Sequence, residues 1–121
     1  MYGKTVLIAD EEENIRRLVH IMLGKDYVVL EVADGEAAVD IARKKRPDLV
    51  LLDIMMPKMD GYAACYKIKS DQVTKKIPVV MVSGLGYELN RKLAKQLGAD
   101  GYINKPFNLW ELQGIVGRLV S

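Results

Sequence analysis

Apolar residues recur along the chain with two alternating rhythms. Residues 5–9 (TVLIA), 28–33, 48–53 and 77–82 are compact, β-branched or aliphatic runs that read as strands, and 101–104 reads as a shorter fifth. Between them the spacing becomes helical. Ile15, Leu18, Val19 and Met22 share a face, and Gly24 follows as a stop. Asp34-Gly35 supplies a turn and a cap for a helix through Ala38, Ile41 and Ala42, which ends on basic residues before Pro47. Pro57 and Asp60-Gly61 mark a loop, with a short helix through Ala64, Cys65 and Ile68 after it. Leu89, Leu93 and Leu97 lie on one side of a helix that closes at Gly98. Asn108 and Glu111 have capping-box spacing, with Asn in place of Ser or Thr. The last helix is expected to turn Leu109, Leu112, Val116 and Leu119 inward.

Strands alternating with helices over short loops predict a parallel sheet covered on both faces. Right-handed crossovers make it a doubly wound α/β layer. At 121 residues the chain is expected to form one unit, 1–121, with one core. In such sheets ligands sit beyond the carboxyl ends of the strands, so strand-ending residues carry the chemistry.

Those ends are polar. The first strand runs into Asp10-Glu11, the third ends on Asp53, the fourth on Ser83, and the fifth runs into Lys105-Pro106. Each has an ordinary reading. An acidic run before a helix favours the helix dipole, Asp53 could cap a loop, Ser83-Gly84 could start one, and Lys105 could be solvated. Their joint occurrence on one sheet edge is what points to chemistry. Three carboxylates drawn together repel. A hard divalent cation reverses that, and oxygen ligands suit Mg²⁺. With an added ammonium the set is suited to a transferring phosphoryl group. Asp53 is then the nucleophile that becomes an acyl phosphate, and Ser83 a donor to the attached group.

The stretches LIADEEENIRRL, PDLVLLDIMMPKMDG, VVMVSG and GADGYINKPF together resemble the receiver domain of two-component response regulators, over essentially the whole chain. The resemblance implies five strands in the order 2-1-3-4-5 with five helices, a flavodoxin-like, chemotaxis-receiver-like fold. It implies Asp53 as phosphoacceptor, with Mg²⁺ on Asp10, Asp53 and the Met55 carbonyl. Glu11 would act on the metal's waters, where many relatives carry Asp. Ser83 is then the switch hydroxyl, Lys105 the phosphoryl-contacting lysine on a cis Lys105–Pro106 bond, and Tyr102 the switch aromatic. Leu85, two residues past Ser83, offers no means to orient a water, so slow self-dephosphorylation is expected. A histidine kinase or phosphotransfer protein would donate the phosphoryl group. An output domain or protein would read the face built by the fourth helix, fifth strand and last helix, and a homodimer on phosphorylation is compatible with the same face.

Two departures stand out. Where receivers joined to winged-helix DNA-binding domains carry an Asp before the switch aromatic and an Arg midway along the last helix, this chain has Gly101 and Ile115. The usual charged dimer contact is therefore in question. Gly114 and Gly117 share one face of the last helix, which is expected to pack closely on a partner, and Trp110 near its start is either an anchor or packed. A net charge of +2 gives no reason to expect direct nucleic-acid binding. No apolar run is long enough for a membrane span. The opening MYGKTVLIAD lacks the apolar segment of a secretory signal, and the lone Cys65 rules out an internal disulfide, which fits a cytoplasmic setting. Two rivals remain. A haloacid-dehalogenase-like phosphatase would need its nucleophile on the first strand in an Asp-x-Asp pattern, where Glu12 stands. An unphosphorylated receiver-like interaction module would be expected to have lost an acid or the lysine.

Overall fold

The computed structural model describes residues 3–84 and 88–120, except for the side chains of 88–90. Within them β1 (Lys4–Ala9), α1 (Glu13–Leu23), β2 (Tyr27–Val32), α2 (Gly35–Lys45), β3 (Leu49–Asp53), α3 (Gly61–Ser70), β4 (Val79–Ser83), α4 (Glu88–Gln96), β5 (Gly101–Asn104) and α5 (Leu109–Val120) alternate without exception. The strands form one sheet in the order β2-β1-β3-β4-β5, every pair parallel. This is the doubly wound architecture that the alternation predicts. Among the described residues no helix is long and apolar enough to cross a membrane.

The central strand shows why the sheet forms. Side chains alternate across a strand, so Val50 and Leu52 join Leu7, Ala9, Met81 and the apolar faces of α2 and α3. Leu49 and Leu51 join Val6, Ile8, Val80 and the inner faces of α1 and α5. These four apolar residues of β3 are fully buried, each stabilising the fold by about 1.5–3 kcal/mol. A strand with helices on both faces needs an unbroken apolar run, which is what residues 49–52 supply.

The caps at Asp34, Asn108 and Gly98 follow the expected chemistry, and Asp60, read from the sequence as a loop marker, adds one more. Asp34 Oδ1 accepts from Ala37 N–H and Asp60 Oδ1 from Ala63 N–H, each at 2.8 Å. Asn108 and Glu111 close the capping box, at 2.8 Å and 3.3 Å. Gly98 ends the α4 segment in the left-handed region, at φ +95. Several expectations need correction. The fourth strand spans Val79–Ser83 rather than 77–82, because Ile77 N–H is taken by the Thr74 carbonyl and Pro78 has no N–H to give. The second strand begins at Tyr27 and ends at Val32, with Val28 largely exposed, because β2 is the sheet edge and is covered on fewer sides. Leu93 is exposed, and α4 buries Ala94 in its place. Leu109 is exposed at the first turn of α5, which has not yet reached the sheet, while Leu112 and Val116 are buried and Leu119 is partly so. The Leu89 side chain lies outside the described residues.

Candidate functional site

Asp10 follows the last residue of β1, Asp53 ends β3, Ser83 ends β4 and Lys105 follows β5. Parallel pairing brings these ends to one edge of the sheet. Asp53 lies opposite Val82, and Ser83 opposite Asn104. Lys105 N–H donates to the Ser83 carbonyl at 2.8 Å, tying the turn after β5 to the end of β4. The Lys105–Pro106 peptide is cis.

The lysine joins the two aspartates. Lys105 Nζ lies 2.8 Å from Asp10 Oδ2 and 3.3 Å from Asp53 Oδ1. Asp10 is fully buried, Asp53 and Ser83 nearly so, and the lysine side chain is only 15% exposed. Burial first, and the neighbouring Asp10 charge second, push the Asp53 carboxyl up from 3.8 to about 6, against the pull of Lys105. Burial works to lower the Lys105 pKa, but the hydrogen bond to Asp10 and the charges of both acids outweigh it and raise it. One ammonium therefore serves two buried carboxylates and does not fully compensate them.

Asp10 is fixed from several sides. Its N–H donates to the Val32 carbonyl at 3.1 Å, and its Oδ1 accepts from Glu12 N–H at 2.9 Å. Oδ2 is buried, and the Lys105 ammonium at 2.8 Å is the cation it meets. That oxygen retains acceptor capacity. The Asp53 end is shaped by Gly61, at the start of α3. Gly61 N–H donates to the Ile54 carbonyl at 2.7 Å, and a Cβ at 61 would stand 2.2 Å from the Asp53 carbonyl oxygen. Glycine is what lets the helix start against this peptide.

The expected convergence of three carboxylates is not what forms. Among the described residues no three His, Cys, Asp or Glu side chains close on one point. The pair is Asp10 and Asp53. Glu11 is exposed and borders a cavity of about 400 Å³ with Ile54, Met55, Met56, Asp60 and Tyr62. The reason is local: β1 ends at Ala9, and Asp10 turns inward while the next side chain faces out. Glu12, given no role at the site from the sequence, reaches Lys105 Nζ at 3.7 Å. Met55, on the loop after β3, is 63% exposed.

Tyr102 lies partway along β5 and packs against the core shared with α2 and α3. The Arg91 guanidinium stands 5.0 Å from its ring centroid. Its hydroxyl is buried, with no hydrogen-bond partner among the described residues. Leu85 lies outside the described residues. Gly101 and Ile115, the pair that replaces the charged contact, pack on each other: a Cβ at 101 would come within 2.8 Å of Ile115 Cδ1. Among the described residues, and leaving aside their own helix backbone, Gly114 and Gly117 have nothing within 4 Å of where a Cβ would project, and Trp110 on the same helix is 78% exposed.

The response regulator receiver domain model matches residues 6–117. "Probable transcriptional regulator ycf27" of Guillardia theta is 41% identical over 109 residues, covering 89% of this chain and 42% of the relative. The phosphate regulon transcriptional regulatory protein PhoB of Pseudomonas aeruginosa is 38% identical over 113 residues, covering 93% of this chain and 49% of PhoB. This chain thus spans less than half the length of these relatives. Among solved structures, the receiver domain of the sensor histidine kinase PA1611 from Pseudomonas aeruginosa superposes with a TM-score of 0.90 at 30% identity, covering 98% of both chains. That structure has a magnesium ion coordinated in its active site cleft. The chain belongs to the response regulator receiver domain family and is a module of two-component signalling.

Proposed function

We propose that the chain accepts a phosphoryl group on Asp53 from a phosphohistidine of a histidine kinase or phosphotransfer protein, or from a small phosphodonor. The observation that carries this is the Lys105 ammonium set between the Asp10 and Asp53 carboxylates at 2.8 Å and 3.3 Å. An Asp53 carboxylate oxygen forms a bond to phosphorus as the bond from phosphorus to the donor's nitrogen or oxygen breaks. The leaving group departs with the electron pair of that bond. Lys105 is placed to hold an equatorial phosphoryl oxygen, and Ser83 to donate to another.

Mg²⁺ fits the donor set. Asp10 Oδ2 is a buried oxygen with capacity to spare, and Asp53 is a carboxylate whose ionised form is disfavoured by its surroundings. Asp10, Asp53 and the Met55 carbonyl would hold the ion, with exposed Glu11 on the side of its waters. When bound, the ion supplies positive charge that favours ionised Asp53 and neutralises the phosphoryl oxygens.

Phosphorylation adds negative charge beside Ser83 and Lys105. Movement of Ser83 toward it frees space near Tyr102 and biases an existing two-state equilibrium on the face of α4, β5 and α5. The partner is an output domain or protein that reads this face, and the setting is cytoplasmic. The Gly101–Ile115 packing supports a readout that does not use the charged dimer contact of the winged-helix regulators.

Incubation with acetyl phosphate and Mg²⁺ followed by intact mass tests the reading. One added phosphoryl group is expected, absent in Asp53→Asn and absent when Mg²⁺ is chelated. No mass gain in the unaltered protein overturns the reading, and uptake by Asp53→Asn places the acceptor elsewhere.

A further inference from the structure

Asp10 sits one residue beyond the β1 ladder, so its carbonyl has no strand partner there. A buried carbonyl needs a donor. Arg16, on α1, supplies it: Arg16 Nη1 donates to the Asp10 carbonyl at 2.7 Å. Arg16 is held in turn at its Nε by Glu31 Oε1 of β2, at 3.3 Å. The other Glu31 oxygen lies 3.4 Å from His20 Nδ1. The Arg16 side chain is only 17% exposed. Arg17 beside it is 68% exposed, and its partner among the described residues is Glu13 of its own helix, at 4.0 Å. Adjacent arginines thus differ sharply in what they touch.

We infer that Arg16 is a positioning residue for the metal site: it pins the Asp10–Glu11 peptide, and so fixes the direction of the Asp10 carboxylate and of Glu11. This rests on the proposed reading that Asp10 holds Mg²⁺. Arginine suits the task because its planar fork can serve Asp10 O and Glu31 Oε1 at once. Lysine has one nitrogen and cannot reach both with the same geometry. Without the clamp, the Asp10 carbonyl loses its donor, and the turn in which Glu12 N–H donates to Asp10 Oδ1 is left to hold the peptide after β1. Partners that orient metal ligands from behind typically change metal affinity by about 10–100-fold when removed.

The experiment measures Mg²⁺ affinity by NMR titration, together with the rate of phosphorylation by acetyl phosphate at limiting and saturating Mg²⁺. Arg16→Ala is expected to weaken Mg²⁺ binding by about 10-fold, with most of the rate recovered at saturating metal. Arg16→Lys should fall between, Glu31→Gln should show a smaller loss in the same direction, and Arg17→Ala should match the unaltered protein. A general loss of folding would instead lower the rate at every Mg²⁺ concentration. A metal-free readout accompanies these: amide exchange at Glu12 should quicken in Arg16→Ala and Arg16→Lys but not in Arg17→Ala. If the unaltered protein binds no Mg²⁺, the reading of the site fails, and the Glu12 exchange still tests the clamp. If exchange and affinity in both Arg16 variants match Arg17→Ala, the inference is overturned.

Discussion

The two edges of the sheet use aspartate in opposite ways. At the amino edge, Asp48 precedes β3 and Asp100 precedes β5. Each donates its N–H to a carbonyl near the start of the neighbouring strand and accepts that residue's N–H on its carboxylate. Asp48 exchanges bonds of 2.8 Å and 2.7 Å with Thr5, and Asp100 bonds of 2.7 Å and 2.8 Å with Val79. Asp100 Oδ2 also takes Lys69 Nζ at 2.9 Å. These carboxylates extend the ladder by a side-chain rung. At the carboxyl edge, Asp10 and Asp53 share one ammonium, and burial with the Asp10 charge pushes Asp53 up to about 6. A carboxylate that stands apart from other acids and is met by N–H donors is part of the scaffold. One set near another carboxylate with too few donors costs stability and is kept for what it can bind.

The largest effect expected from this contrast is at Asp100. Asp100→Ala leaves Val79 N–H without its side-chain acceptor and the mostly buried Lys69 ammonium with the Ile77 carbonyl but no counter-charge. Losing a charged acceptor that serves a part-buried backbone N–H costs about 1.5–3 kcal/mol. Urea unfolding should show that loss while phosphoryl uptake by the folded protein persists. A cost near zero would break the distinction between the two edges.

Asp53→Asn should act in the other direction: the shift caps the gain at about 3 kcal/mol at pH 7 in metal-free buffer, and the burial cost that the polar amide still carries leaves about 1–2 kcal/mol. The folded carboxyl holds its proton more tightly than the unfolded chain does, about 6 against 3.8. Between those values the folded state carries more protons, so stability falls as pH rises through the window. The cost is fully present above about 6 and disappears below 3.8. The gain from Asp53→Asn should therefore shrink toward pH 4. Saturating Mg²⁺ should also shrink it at pH 7 by stabilising the unaltered protein alone. Urea unfolding across pH, with and without Mg²⁺, checks all three signs.

Much of this edge was legible from the sequence because strand ends are fixed by where apolar runs stop. Asp53 closes a buried run, Ser83 closes another, and Lys105 follows the shortest, so a parallel sheet gathers them whatever the details of its helices. Legibility ended where side-chain direction decides. Asp10, Glu11 and Glu12 are consecutive acids, and only the turn after Ala9 sends the first inward and lets the third reach Lys105. Arg16 was hidden for a related reason. Its meaning depends on Glu31 lying on the neighbouring strand, which follows from the β1–β2 register rather than from local sequence. The short helices misled differently. Leu93 has the right spacing, but α4 makes its close approach through Ala94, where a smaller side chain permits it.

The smallest predicted effect gives the sharpest comparison, because the same substitution is made around one strand. Asp48 and Asp53 flank the buried residues 49–52 of β3, one just outside and one at its end. Asp48→Asn keeps a side-chain oxygen that can still accept Thr5 N–H, and loses only a partly solvated charge. Its unfolding free energy should change by less than about 1 kcal/mol, the difference between a charged and a neutral acceptor. Mg²⁺ affinity and phosphoryl uptake should be unchanged. Asp53→Asn should raise stability and abolish uptake. Chemical denaturation and intact mass on the two variants in parallel measure both properties. If Asp48→Asn stabilised the fold as Asp53→Asn is expected to, uncompensated charge would be common to both edges, and the raised pKa at the carboxyl edge would lose its link to phosphoryl chemistry.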